Sequence, residues 1–176
     1  MLKKNDIVEL TVTDMTFEGL GVARYTGEDL SAFVIFIHGA VIGDIVDCRI
    51  VKILKNHACA IIENIISPSG DRIHPACPSF SKCGGCTMID LPMEQQLLKK
   101  KTWVEECIGA FGPVEPVIRM KNPYRYRNKV TSIFGLDRKG HPVCGVYRAR
   151  SREIVPVKDC LIENKRADEI VQDIYG

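Results

Sequence analysis

The 176-residue chain has no long apolar run at its start, no internal repeat and no low-complexity tract. Its opening stretch, MLKKNDIVEL, alternates charged with apolar residues, the pattern of neither a secretory signal nor a membrane-spanning helix. A cytoplasmic protein is expected. Eight cysteines are too sparse for a disulfide-stapled scaffold, and in a reducing compartment clustered thiols are more often metal ligands than disulfides. The GxG of FEGLGVAR, Gly19 and Gly21, is followed by no helical pattern. It therefore reads as a sharp bend or bulge, where a residue without Cβ permits close approach and positive φ. What remains is ordinary in composition, 45% hydrophobic and 26% charged, and long enough for one large or two small domains.

The net charge of +2 hides a gradient. Residues 1–70 carry six Lys/Arg against nine Asp/Glu, whereas residues 116–160 carry eleven against three. A basic block in a near-neutral chain suits a polyanion, and equally suits a solvated sheet face.

Three segments follow from the patterning, which is mainly β with some α. Residues 1–66 hold short β-branched runs, IVELTV, AFVIFI, DIVDCRIVKI and HACAIIENII, separated by turn residues. This spacing predicts a small antiparallel barrel. Such barrels often take single-stranded nucleic acid on an open face. Phe17, Arg24, Tyr25 and Lys55 are candidate contacts, with barrel packing the simpler role for Phe17 and Tyr25. Residues 67–90 form a Pro/Ser/Gly-rich loop carrying cysteines, and residues 91–112 a helix begun by Asp90 and Pro92 and stopped by Gly112-Pro113. Leu97, Val104, Cys107, Ile108 and Phe111 mark its apolar stripe, with Lys99 to Lys101 on a solvated face. Residues 113–176 return to strands, VTSIFGL and VCGVYRARSREIVPV, around a hairpin turn at Lys139-Gly140, and close with a helix.

The cysteines divide by context. Cys48, Cys59, Cys107 and Cys144 fall in apolar periodicity and are expected in the core. Cys77, Cys83 and Cys86 instead occupy a turn-rich loop, CPSFSKCGGC, whose Gly84 and Gly85 let the backbone pass close to a ligand. Zinc sites usually show two CxxC-like knuckles, and here there is one. Three clustered cysteines plus a remote one is the commoner arrangement around a [4Fe–4S] cube, which takes one thiolate per iron. Cys160, at a strand–helix junction, is the best remote partner, with His74 an alternative. Spacing favours iron–sulfur and leaves zinc open.

In combination these stretches resemble a known family. The barrel with FEGLGVAR resembles a TRAM domain, an OB-like fold. SPSGDRIHPACPSFSKCGGC, YRYRNKV and GVYRARSREIVPVKDC are similar to the N-terminal part of RNA (uracil-5-)-methyltransferases, of the ribosomal RNA type. The resemblance implies a [4Fe–4S] cluster on Cys77, Cys83, Cys86 and Cys160. It also implies that the S-adenosylmethionine loop, the thiolate that adds to C6 of uracil and the base that removes the C5 proton lie in a C-terminal Rossmann-like domain beyond this sequence. A piece inactive in methylation by itself is expected, as a monomer. A zinc-binding, stand-alone RNA-binding module is the alternative. A radical enzyme is disfavoured by Cys-x5-Cys-x2-Cys spacing.

The resemblance gives the basic block a role. In NPYRYRNKV, Arg125, Arg127 and Lys129 alternate, which on a strand projects them to one side, with Tyr124 and Tyr126 on the other. Arg148, Arg150 and Arg152 alternate likewise. Two cationic strand faces with nearby aromatics suit phosphate contacts and stacking on unpaired RNA bases. The RNA-binding set is Arg125, Tyr126, Arg127, Lys129, Arg148, Arg150 and Arg152. Pairing of these arginines with acids on neighbouring elements is the competing reading.

Overall fold

The structure, a computed structural model, describes residues 2–27, 32–149 and 151–176. It divides into two compact units, Met1–His74 with Thr87–Val117, and Pro75–Cys86 with Ile118–Gly176.

In the first unit, β1 (Ile7–Met15), β2 (Gly21–Thr26), β3 (Ala32–His38), β4 (Ile45–Ile53) and β5 (His57–Ser67) close into a barrel in the order β1-β2-β3-β5-β4. The expected OB-like barrel is present. Its β3–β5 pair is parallel and the other pairs are antiparallel. The period-two alternation of strands sends Leu10, Val12, Ile35, Ile37, Val46, Cys48 and Ile50 inward. Each large one contributes about 1.5–3 kcal/mol relative to exposure. Ala23, Ala58 and Ala60 are fully buried beside them, small residues that fit a narrow interior. Burial, with Asp47 adding to it, pushes the Cys48 thiol up to about 12, so this cysteine is an inert core residue as expected. The bend at FEGLGVAR is also observed: Gly19 has φ +82°, and a Cβ there would stand 2.8 Å from Thr87 Cβ.

The chain leaves the barrel through a buried ionic clamp. Asp44 is fully buried, and its carboxylate accepts from Val41 N at 2.7 Å and Ser69 N at 2.8 Å. Arg72 completes it as a fork, Nε at 3.2 Å from Oδ1 and Nη2 at 2.6 Å from Oδ2. The same guanidinium reaches Asp90 at 3.1 Å and the Gly39 carbonyl at 2.8 Å. Helix α1 (Met93–Ile108) follows. It is anchored by Trp103, whose indole N–H donates to the Met15 carbonyl at 3.1 Å and whose ring packs with Met15, Val41 and Leu91. Two expectations are corrected here. Lys99 is not on a solvated face: it pairs with Asp14 and lies 5.8 Å from the Trp103 ring centre. Cys107 is exposed, with Val104, Ile108 and Phe111, because the large indole, with its own hydrogen-bond partner, sets which side of the helix meets the barrel.

In the second unit, β6 (Ile133–Leu136), β7 (Pro142–Tyr147) and β8 (Ile154–Pro156) form an antiparallel sheet in that order. Asp137 Oδ1 holds the β6–β7 turn by accepting from Lys139 N and His141 N. Val143, Cys144, Val155 and Ile162 are buried. Gly145 is required by its neighbour, since a Cβ there would stand 1.9 Å from the Val155 carbonyl oxygen. Helix α2 (Lys165–Tyr175) is capped by Asn164, whose side chain accepts from Arg166 N and Ala167 N. Its Tyr175 hydroxyl donates to the Pro142 carbonyl at 2.9 Å. No helix among the described residues is long and apolar enough to cross a membrane.

Candidate functional site

Cys77, Cys83, Cys86 and Cys160 all belong to the second unit. The loop that carries the first three is wound by successive turns. Phe80 N donates to the Cys77 carbonyl, and both Lys82 N and Cys83 N donate to the Ser79 carbonyl, at 3.0 and 2.7 Å. Gly85 N donates to Cys83 Sγ at 3.3 Å, so a glycine N–H is turned toward a sulfur. Cys83 forms an isolated antiparallel bridge with Arg148.

Cys160 is braced from two sides. The segment at Arg125 runs beside it, with Arg125 N donating to Leu161 O at 2.9 Å and Arg127 N to Ile162 O at 2.8 Å. The Arg125 guanidinium donates to the Cys160 carbonyl and to Asp159, both at 2.6 Å. From the other side, Asp168 of α2 accepts from Cys160 N at 3.2 Å. Burial pushes the Cys86 thiol up, and Cys160, Cys83 and Cys77 each add to that, while Arg127 opposes it. Burial also pushes the Cys160 thiol up, against the pull of the Ile162 and Glu163 N–H groups, and Cys77 contributes to the rise. Among the described residues, no three His, Cys, Asp or Glu side chains stand close enough to hold a metal ion. His74, the alternative ligand, falls in the first unit.

The arginine-rich stretches differ from the expected strand faces. Residues 121–132 form no strand. Arg125 has φ +59°, a left-handed turn that breaks any period-two projection. Its side chain is committed to Asp159 and the Cys160 carbonyl, so it serves the cysteine site. Tyr126, Arg127 and Lys129 remain exposed. In YRARSRE the strand ends at Tyr147, and a turn closes with Ser151 N donating to Arg148 O at 3.0 Å. Arg148 is ion-paired with Glu153, Nε to Oε2 at 3.0 Å, as the competing reading had it. Arg152 is exposed and makes no ion pair among the described residues. Arg150 lies outside the described residues. On the barrel, Phe17 is 75% exposed, Arg24 and Lys55 are exposed, and Tyr25 packs against the core.

Residues 2–62 match the TRAM domain. An uncharacterised RNA methyltransferase of Clostridium tetani is 37% identical over 175 residues, which is 97% of this chain and 37% of that protein. One from Listeria innocua is 38% identical over 98% of this chain and 38% of its own length. The chain thus spans little more than a third of the curated relatives it matches. Among solved structures, the fold is like that of Pyrococcus abyssi tRNA (uracil-54, C5)-methyltransferase in complex with S-adenosyl-L-homocysteine. The TM-score is 0.58 at 21% identity, over 90% of this chain and 36% of that one. The chain therefore carries a TRAM domain and resembles, over nearly its whole length, the N-terminal part of proteins named RNA methyltransferases.

Proposed function

We propose that this chain is the RNA-recognition part of an S-adenosylmethionine-dependent RNA uracil-5-methyltransferase of the cytoplasm, acting on ribosomal RNA, with a [4Fe–4S] cluster on Cys77, Cys83, Cys86 and Cys160. The cluster reading is supported by the placement of all four cysteines in the second unit, three in one glycine-bearing loop and the fourth at Cys160. Four thiols would supply one thiolate per iron, and the Gly85 N–H is turned toward Cys83 Sγ. A bound cluster would supply a cross-link between the loop 77–86 and the junction at Cys160. Arg125 and Asp168 hold the backbone of Cys160, through its carbonyl and its N–H, so that its sulfur is offered at a fixed place.

RNA recognition falls mainly to residues 113–176, where Tyr126, Arg127, Lys129 and Arg152 are exposed. The catalytic steps have no residues here, and the isolated chain is inactive in methylation. Relatives named RNA methyltransferases and the TRAM domain support the RNA reading. The test is fluorescence anisotropy of the purified monomer against a ribosomal RNA hairpin with an unpaired loop, a transfer RNA and a plain duplex, across a salt series. The expected result is preference for the ribosomal hairpin and a log K that falls linearly with log salt. Replacing Lys129 by Gln should make that slope shallower by about one. Equal, salt-independent binding to all three would overturn the RNA reading, and preference for transfer RNA would reassign the substrate.

A further inference from the structure

The second unit has a shallow, open cleft on its surface that neither the cysteine ligand set nor the TRAM match accounts for. One wall is the bare backbone of Gly84 and Gly85, and the other is the end of β7 and the turn after it, Tyr147, Ala149, Ser151 and Arg152. The glycine wall is fixed by close packing, because a Cβ on Gly84 would stand 3.1 Å from both Ala149 Cα and Ala149 Cβ. The far wall is fixed by its own turn: Arg148 N donates to Glu153 O at 2.8 Å and Glu153 N to Ser151 Oγ at 2.9 Å.

The chemistry of the lining is specific in kind. Tyr147, 47% exposed, presents an aromatic surface without full burial. Arg152, exposed and unpaired among the described residues, places a cation at the edge. An aromatic face and a free guanidinium match an unpaired nucleotide, whose base stacks and whose phosphate takes the charge. We propose that this cleft binds one unpaired nucleotide of the RNA, its base against Tyr147 and its phosphate on Arg152. The proposal rests on the RNA-binding function above and assigns that function a second contact point beside the cysteine loop.

The experiment uses the full chain and a single-stranded RNA carrying one 2-aminopurine, read by anisotropy and by quenching of the fluorescent base, with a duplex of the same sequence as control. Tyr147→Ala should weaken single-strand binding roughly ten- to hundred-fold, the size of one base–aromatic stack, and abolish the quenching. Tyr147→Phe should restore both, and duplex binding should change little. Arg152→Gln, an exposed substitution that leaves the fold intact, should weaken binding several-fold and reduce the salt slope by about one. Unchanged single-strand affinity and quenching in both Tyr147→Ala and Arg152→Gln would overturn the cleft assignment while RNA binding stands. No RNA binding by the unaltered chain would overturn the broader function, and the cleft's role with it.

Discussion

Replacing Arg72 by Met tests the ionic clamp at the exit from the barrel. The substitution keeps most of the stem and removes the charge. Asp44, fully buried, would keep its two backbone donors but lose both arms of the guanidinium fork. Asp90, 2% exposed, would lose its cation as well. Removing one partner from a buried pair costs about 3–5 kcal/mol, because it strands an uncompensated charge. An exposed pair would be worth only about 0–1 kcal/mol. For a unit of about a hundred residues, roughly 4 °C of melting temperature corresponds to 1 kcal/mol, so the clamp predicts a fall of about 12–20 °C. Thermal and urea denaturation followed by circular dichroism and Trp103 fluorescence would measure it. Adding Asp44→Asn to Arg72→Met should recover part of the loss by removing one stranded charge. A fall below about 4 °C, in the range of a surface pair, or no recovery in the double variant, would show that Arg72 neutralises no buried charge.

The same clamp sets an acid limb. Burial alone would raise Asp44, but the fork from Arg72 and the Ser69 and Val41 N–H groups outweigh it and hold the carboxyl below its ordinary 3.8. Its contribution is therefore present above pH 3.8 and is lost as pH falls through the lower folded value. Asp90 has the opposite sign: burial raises it above 3.8 despite Arg72, so it opposes folding at neutral pH and that penalty disappears as it protonates. Melting temperatures from pH 2 to 7 should show Asp44→Asn flattening the limb below about pH 4 and Asp90→Asn flattening the limb above it; identical limbs in both variants would contradict this assignment. Gly145→Ala should destabilise the second unit by at least about 1–3 kcal/mol, the usual cost of overpacking, since its Cβ has only 1.9 Å to the Val155 carbonyl oxygen. Hydrogen exchange should show the loss in β7 and β8, with the barrel unaffected. Arg125→Leu should release Cys160 from its carbonyl anchor and speed loss of iron in air, measured by the decay of visible absorption; an unchanged rate would limit Arg125 to a role in RNA contact or folding alone.

The barrel was legible because alternation along IVELTV or DIVDCRIVKI reports directly which side of a strand is buried, and FEGLGVAR carries glycines at the bend. The cysteine loop was legible for a different reason: turn residues without periodicity leave thiols no core to enter. Period-two spacing misled where it was carried by charge. Arginines alternating in YRYRN and YRARSR look like a strand face, yet the first stretch turns through a left-handed Arg125 and the second folds back at Ser151. Nothing local distinguishes an arginine that waits for phosphate from one already paired, as Arg148 is with Glu153. The Asp44–Arg72–Asp90 clamp joins residues 28 and 18 positions apart and leaves no sequence signature. On α1, the apolar positions suggested one stripe while Trp103, with an indole donor to satisfy, fixed another.

Four cysteines from two stretches are proposed to hold one iron–sulfur cube. The most direct measurement is anaerobic purification of the chain and of Cys160→Ser, with iron, sulfide and zinc quantified in both. About four irons and four sulfides per chain are expected, falling sharply in Cys160→Ser while circular dichroism shows the barrel retained. Stoichiometric zinc without sulfide, or iron and sulfide unchanged in Cys160→Ser, would contradict it.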